Sequence, residues 1–147
     1  MNNNNIYLVQ TDTTVGFLSS NDQKLADIKQ RDTKQKTLQV VDSFKTLKKY
    51  TRIPQKLKRK VRYSKKTTFI YPNKSAFRVI DKDSYHHSFI NKFKCLYSTS
   101  ANITKQNFEE KFAFEYSDII LYNKHFFSQN QSSSIYKINN IKIKKLR

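Results

Sequence analysis

The sequence is poor in glycine, cysteine and proline: its 147 residues include one glycine, one cysteine, two prolines and no tryptophan. A single glycine cannot form the glycine-rich loop that cradles phosphate groups in P-loop and dinucleotide-binding proteins. The single cysteine, Cys95, excludes an intramolecular disulfide, so we expect a reducing compartment. One cysteine and three histidines show no zinc-ligand spacing, and we predict no protein-held metal.

Long apolar runs and an apolar leader are also missing. No apolar run approaches the roughly 20 residues that a membrane-spanning helix needs. The first residues, MNNNN, have neither the basic nor the apolar region of a signal peptide. We therefore predict a cytoplasmic protein without membrane contact, and a length of 147 residues fits one domain with its own core.

Acidic residues are scarce, and the chain carries 29 lysines and arginines against 11 acidic residues, a net charge of +18. Residues 43–80 contain thirteen of these cations and no acidic residue. A field of this strength favours polyanions such as nucleic acids and nucleotides. A general enrichment in lysine explains the charge equally well, so charge alone does not decide between the two.

Short β-branched and aromatic runs alternate with segments of helical spacing, which predicts an α/β or α+β fold with a mixed sheet. The predicted strands are 6–10, 38–41, 67–71, 76–80, 95–98, 118–122, 134–138 and 141–146. The predicted helices are 20–31, 42–50, 83–93 and 104–112. Ser20 with Gln23 indicates a capping box for the first helix, and Asp42 or Ser43 is the expected cap of the second.

Four polar clusters lie at the ends of predicted strands or helices: residues 10–17, 29–31, 96–104 and 131–138. Each has an ordinary structural explanation, such as a threonine-rich turn closed by Gly16 or cations at the end of a helix. His86 and His87 are adjacent on a predicted helix and are expected on the surface. No Ser-His-Asp arrangement can be inferred from residue order alone.

The order of these clusters is more specific than any one of them. A Thr-Asp-Thr turn with a glycine is followed by K-x-R, then T-S-A-N, then a serine-led strand, then a final arginine. This order resembles the YrdC-like family, the threonylcarbamoyl-AMP synthases of tRNA adenosine modification. The matching positions are Thr11, Asp12, Thr13, Gly16, Lys29, Arg31, Thr68, Arg78, Ser100, Asn102, Ser133, Ser134 and Arg147.

The resemblance implies a twisted mixed sheet flanked by helices, with a basic concave cleft, in a single domain over 1–147 without a second C-terminal domain. It implies conversion of ATP, L-threonine and bicarbonate or CO2 into threonylcarbamoyl-AMP and pyrophosphate, with Mg2+. The implied partner is a complex that transfers the product to tRNA.

The resemblance also implies roles for single residues. Lys29 and Arg31 are the expected catalytic cations and also ATP contacts, together with Ser100, Asn102, Ser134 and Arg147. The expected threonine contacts are Thr11, Asp12, Thr13, Arg78, Ser98 and Ser133. Two alternatives stay open: a non-catalytic module that binds double-stranded RNA or tRNA, and a degenerate member that binds a nucleotide without turnover.

Overall fold

Short strands form one mixed sheet in the computed structural model, which describes residues 4–31, 36–104, 106–122 and 127–147. Within these ranges the sheet has nine strands in the order β7-β1-β2-β6-β3-β5-β4-β8-β9. The strands are β1 (Tyr7–Gln10), β2 (Val15–Ser19), β3 (Leu38–Val41), β4 (Thr67–Ile70), β5 (Ala76–Val79), β6 (Cys95–Ser100), β7 (Ile119–Leu121), β8 (Ser134–Ile138) and β9 (Ile143–Lys145). Three neighbouring pairs, β1–β7, β3–β5 and β4–β8, are parallel, and the other five are antiparallel. The predicted mixed sheet is confirmed.

Five short helices flank the sheet in the described residues: α1 (Asp22–Ile28), α2 (Phe44–Tyr50), α3 (Lys58–Tyr63), α4 (His87–Phe93) and α5 (Glu110–Glu115). A single 3-10 turn (Gln55–Leu57) leads into α3. No helix of the described ranges is long and apolar enough to cross a bilayer.

The two faces of the sheet carry separate cores. Phe77 in β5 packs with Leu47 of α2 and Val61 of α3. Ile80, just after β5, packs on the other face with Phe89 and Ile90 of α4. This separation follows from the alternation of side chains along a strand.

A third core surrounds α1 and α5 near β1 and β2. It contains Leu8, Phe17, Leu25 and Ala113, all fully buried. By fixing α1 against β2 and β6, this core also fixes the position of residue 29, where α1 ends.

Strand β2 was not predicted, because residues 10–17 were interpreted as a polar turn. All five of its residues are buried, and it pairs with both β1 and β6. The interpretation of Gly16 as a turn residue was wrong: it lies inside β2 opposite Ser100, and its φ is not positive.

The first helix begins one residue later than the predicted capping box. Asn21 is the N-cap, and its side chain accepts a hydrogen bond from the Lys24 amide at 3.3 Å. Gln23 instead donates to Asp27 at 2.8 Å. At α2 one of the two expected caps is confirmed, because Ser43 accepts from the Thr46 amide at 3.2 Å.

Helix boundaries in the last third also differ from the prediction. The helix predicted over 104–112 begins at Glu110, because Asn102 forms a bridge with Phe108 and the chain turns between them. Residue 105, within that predicted helix, lies outside the described residues. Helix α3 was not predicted at all.

Candidate functional site

A cleft of about 420 Å3 opens on the α4 face of the sheet. Its apolar floor consists of Leu18, Leu38, Val40 and Ile80. Its polar wall contains eight of the residues predicted from the sequence: Thr11, Thr13, Arg78, Ser98, Ser100, Asn102, Ser133 and Arg147. Residues from five separate parts of the sequence therefore meet at one site.

The turn between β1 and β2 forms one rim of the cleft. The Thr11 hydroxyl donates to the Thr14 carbonyl at 2.6 Å, and the Thr11 amide donates to the same oxygen at 3.1 Å. The Thr13 carbonyl accepts from the Asn130 amide at 2.7 Å. These bonds hold the threonine backbone rigidly, which suits a rim that orients a small polar ligand.

Two guanidinium groups converge on Ser133 at the opposite rim. The Ser133 hydroxyl accepts from Arg78 Nη2 at 2.7 Å and from Arg147 Nη2 at 3.2 Å. Arg147 Nε donates to the Ser133 carbonyl at 3.0 Å, and Arg78 also donates to the Thr68 hydroxyl at 3.0 and 3.1 Å. Serine and threonine hydroxyls therefore fix the direction of both cations.

Neither guanidinium is neutralised by an acid. Within the described ranges no carboxylate lies at ion-pair distance from Arg78 or Arg147. Arg78 is buried, with 8% of its surface exposed, and burial lowers its pKa to about 10; the Asp12 carboxylate opposes this shift, and the Arg147 charge adds to it. A pKa of about 10 leaves Arg78 charged at neutral pH, so this rim attracts an anion.

Lys29 lies behind the 100–102 turn rather than among the residues that line the cleft. Its ammonium donates to the Ser100 carbonyl and to Asn102 Oδ1, each at 3.1 Å, and to the Asn102 carbonyl. Burial, with a contribution from the nearby Arg31 charge, lowers the pKa of Lys29 to about 8. In this arrangement Lys29 holds Ser100 and Asn102 in position.

Arg31 is also directed at the protein. Its Nη2 donates to the Thr37 hydroxyl, which donates to Asp22 at the start of α1. Its Nε is buried without a hydrogen-bond partner in the described part of the chain. Arg31 is therefore not among the residues that line the cleft, and one of its donors is buried and unused.

Asp12 and Ser134 do not line the cleft either. Asp12 accepts from the Ser84 hydroxyl and lies 3.7 Å from His86 Nδ1, within a neighbouring cavity of about 610 Å3. Ser134 lies in β8 opposite Thr67 of β4. The sequence placed both residues at the correct strand ends without indicating the direction of their side chains.

The prediction that His86 lies on the surface was wrong. Only 4% of its surface is exposed, and it lines both the cleft and the neighbouring cavity. Burial lowers its pKa, so the imidazole is neutral at pH 7. Its place at the start of α4, where the chain returns to the sheet after β5, buries it; no motif in the sequence indicated this.

Residues 129–132 were also missed as specific contacts. Gln129, Asn130 and Ser132 complete the cleft wall between the threonine turn and Ser133. The predicted polar cluster covers 131–138, so Gln129 and Asn130 lie outside it, and Ser132 belongs to it without a predicted role.

No family model and no curated protein matches the chain in sequence. Solved structures do match in three dimensions. E. coli YciO aligns over 98% of this chain and 82% of its own, with a TM-score of 0.76 and 13% identity. P. abyssi Sua5 complexed with L-threonine aligns over 97% of this chain, with a TM-score of 0.76 and 14% identity.

The chain has a YrdC-like fold. Full-length HypF, in its phosphate- and nucleotide-bound form, also contains this fold, with a TM-score of 0.72 and 14% identity. The present chain spans about half of Sua5 (50%) and about a quarter of HypF (26%). The expected fold class is therefore confirmed.

Proposed function

We propose that this chain is a YrdC-like enzyme that converts ATP, L-threonine and bicarbonate or CO2 into threonylcarbamoyl-AMP and pyrophosphate for tRNA adenosine modification. The observation that carries the proposal is the pair of guanidinium groups, from Arg78 and Arg147, fixed on Ser133 and without a carboxylate partner in the described ranges. The L-threonine and nucleotide named for Sua5 and HypF, which share the fold, support the ligand classes.

One rim of the cleft carries cations and the other carries neutral polar groups. The substrates contain anionic groups that suit the first rim and polar groups that suit the second. Arg78 and Arg147 would hold a carboxylate or phosphate group, for which the planar guanidinium is well shaped. Thr11, Thr13 and Ser98 would bind the hydroxyl and amine of threonine. Ser100 and Asn102 would orient phosphate or ribose, with Lys29 holding their turn and adding positive charge behind it.

The reaction requires positioning and charge rather than a protein nucleophile. The threonine amine attacks CO2 and gives a carbamate, and a carbamate oxygen then attacks the α-phosphorus of ATP with pyrophosphate as the leaving group. Fixed cations would stabilise the negative charge that develops in this second step. Arg31, with an unused Nε donor, would add to this field.

Mg2+ would enter with the nucleotide. The described residues contain no group of three or more acidic, histidine or cysteine side chains that could hold a metal ion. Mg2+ is commonly bound largely through substrate phosphates, which fits a cleft without a cage of its own. We therefore propose Mg2+ as a companion of ATP and not as a resident metal.

The deciding experiment is a pyrophosphate-release assay with ATP, bicarbonate and a panel of amino acids. We expect release that depends on threonine and a product with the mass of threonylcarbamoyl-AMP. Lys29→Ala and Arg31→Ala should abolish product formation while circular dichroism stays unchanged. ATP binding without release for any amino acid would instead identify a degenerate nucleotide-binding member.

A further inference from the structure

Six lysine and arginine side chains cluster on the sheet face opposite the cleft. One cavity of about 480 Å3 is lined by Lys48, Arg52, Lys56 and Lys58. A second cavity, of about 570 Å3, is lined by Lys56, Arg59 and Lys60. Lys56 belongs to both cavities, so they adjoin, and we name these six residues the back surface.

The sheet separates the back surface from the cleft. The back surface is carried by α2, the 3-10 turn and α3, which pack on the face of β5 that presents Phe77. Arg78, the next residue, points to the other face and lines the cleft. A ligand on the back surface is therefore distinct from the substrates of the cleft.

The charge of the back surface is uncompensated. No acidic residue lines either cavity, all six cations are exposed, and none forms an ion pair within the described ranges. Lys58 and Arg59 also occupy the first turn of α3, where the helix dipole disfavours cations, whereas Lys60 lies in the last turn with its ammonium 4.9 Å from the centre of the Tyr136 ring. Helix stability therefore does not account for the two cations at the start of α3, and a bound polyanion would offset their repulsion.

The exposed aromatic residues indicate which polyanion fits. On α2, the 3-10 turn and α3 the exposed large hydrophobic residues are Tyr50 and Tyr63, and no exposed leucine, isoleucine or phenylalanine accompanies them. A helix that inserts into a bilayer presents a broader apolar face than this. Tyr63 is 69% exposed and lines the second cavity. The Arg62 guanidinium lies over its ring, 5.7 Å from the ring centre, so a nucleobase would stack on the other face.

We propose that the back surface binds single-stranded nucleic acid, with its cations on the phosphates and Tyr63 on an unpaired base. This inference does not depend on the proposed synthase activity. RNA and DNA share the phosphate chemistry, and the test distinguishes them.

The test measures fluorescence anisotropy of labelled single-stranded RNA, single-stranded DNA and duplex RNA, each about 20 units long, over a range of salt concentrations. The variant R52A/K56A/R59A removes three exposed cations that make no hydrogen bond or ion pair in the described ranges. We expect its salt slope to be lower by about two and its affinity lower by about tenfold or more. Lys56→Gln alone should lower the salt slope by about 0.7. It replaces the triple variant in the test if the triple variant loses helix content.

The matched control is K24A/K92A/K111A, which removes the same charge from exposed sites on α1, α4 and α5. The salt slope of this control should equal that of the unmodified protein. Equal loss of nucleic acid affinity in both triple variants would show a general electrostatic attraction and overturn the proposal. Tyr63→Ala should weaken single-strand binding about fivefold or more, and Tyr63→Phe should not.

Competition experiments test the location and the partner class. Saturating ATP should leave nucleic acid binding unchanged, and displacement by ATP would place the nucleic acid in the cleft. Equal or tighter binding to phosphatidylserine vesicles or polyglutamate at the same salt concentration would also overturn the proposal. Tighter binding to duplex than to single strands would contradict the role of Tyr63.

Discussion

Lys29 combines a lowered pKa with three oxygen acceptors, so its protonation state controls the 100–102 turn. We expect ATP affinity to be constant below about pH 8 and to fall by up to about tenfold per pH unit above it. ATP affinity falls as the pH rises because a bound phosphate favours the ammonium form of Lys29 and raises its pKa from about 8 in the free protein. Titration calorimetry between about pH 7.5 and 9.5 measures the slope. Lys29→Arg keeps a positive charge at this position and should therefore abolish the pH dependence of ATP affinity. An unchanged slope in that variant would assign the titration to another group.

Two adjacent serines offer a matched pair at the cation rim. Ser133→Ala removes the hydroxyl that accepts from both Arg78 and Arg147, so we expect ATP affinity to fall about five- to tenfold. Ser134 lies outside the cleft wall, and the geometry predicts little change for Ser134→Ala. Equilibrium dialysis with labelled ATP compares the variants. A larger loss of ATP affinity in Ser134→Ala than in Ser133→Ala would support the ATP contact that the sequence predicts at Ser134. It would also show that Ser133 does not orient the two cations for the nucleotide.

Among the elements, β2 depends most closely on one residue. A Cβ atom at Gly16 would lie 3.1 Å from the Thr99 carbonyl and 3.2 Å from Thr11 Cγ2. Because one of these neighbours is backbone, we expect Gly16→Ala to lower the free energy of unfolding by about 1–3 kcal/mol. Urea denaturation measures this change, and Thr14→Ala in the same segment should stay within about 0.5 kcal/mol. A stable Gly16→Ala variant would show that β6 moves easily at this point.

The elements also show what a single sequence can predict. Strands β3 and β8 have the predicted bounds, because their β-branched and apolar residues end at clear polar breaks. Strand β2 was not predicted because its glycine and the threonines before it indicate a turn, although Val15, Phe17 and Leu18 supplied a hydrophobic signal. Helix α3 was not predicted because its many cations obscure its apolar pattern, although Leu57 and Val61 have helical spacing. Residue types thus indicated which segments form the cleft, whereas the inward direction of Lys29 and Arg31 depends on tertiary contacts that a sequence pattern does not contain.

At the scale of the whole molecule, the two faces of the sheet carry cations in different surroundings. The cleft holds few cations, and each is oriented by hydroxyl groups. The back surface holds more cations, which are exposed and have no acidic partner in the described ranges. This difference predicts that small anions stabilise the protein by binding specifically at the cleft. Elsewhere, stability should depend on ionic strength in general.

Thermal unfolding can separate these two responses. Chloride should raise the melting temperature gradually, because it screens repulsion among the 29 cations. Phosphate at equal ionic strength should raise it further and saturably, because an anion bound between Arg78 and Arg147 stabilises only the folded state. Arg147→Gln, a change at an exposed position, should remove the additional phosphate effect and leave the chloride effect intact. If Arg147→Gln keeps the full phosphate effect, phosphate binds elsewhere, and R52A/K56A/R59A then shows whether that place is the back surface.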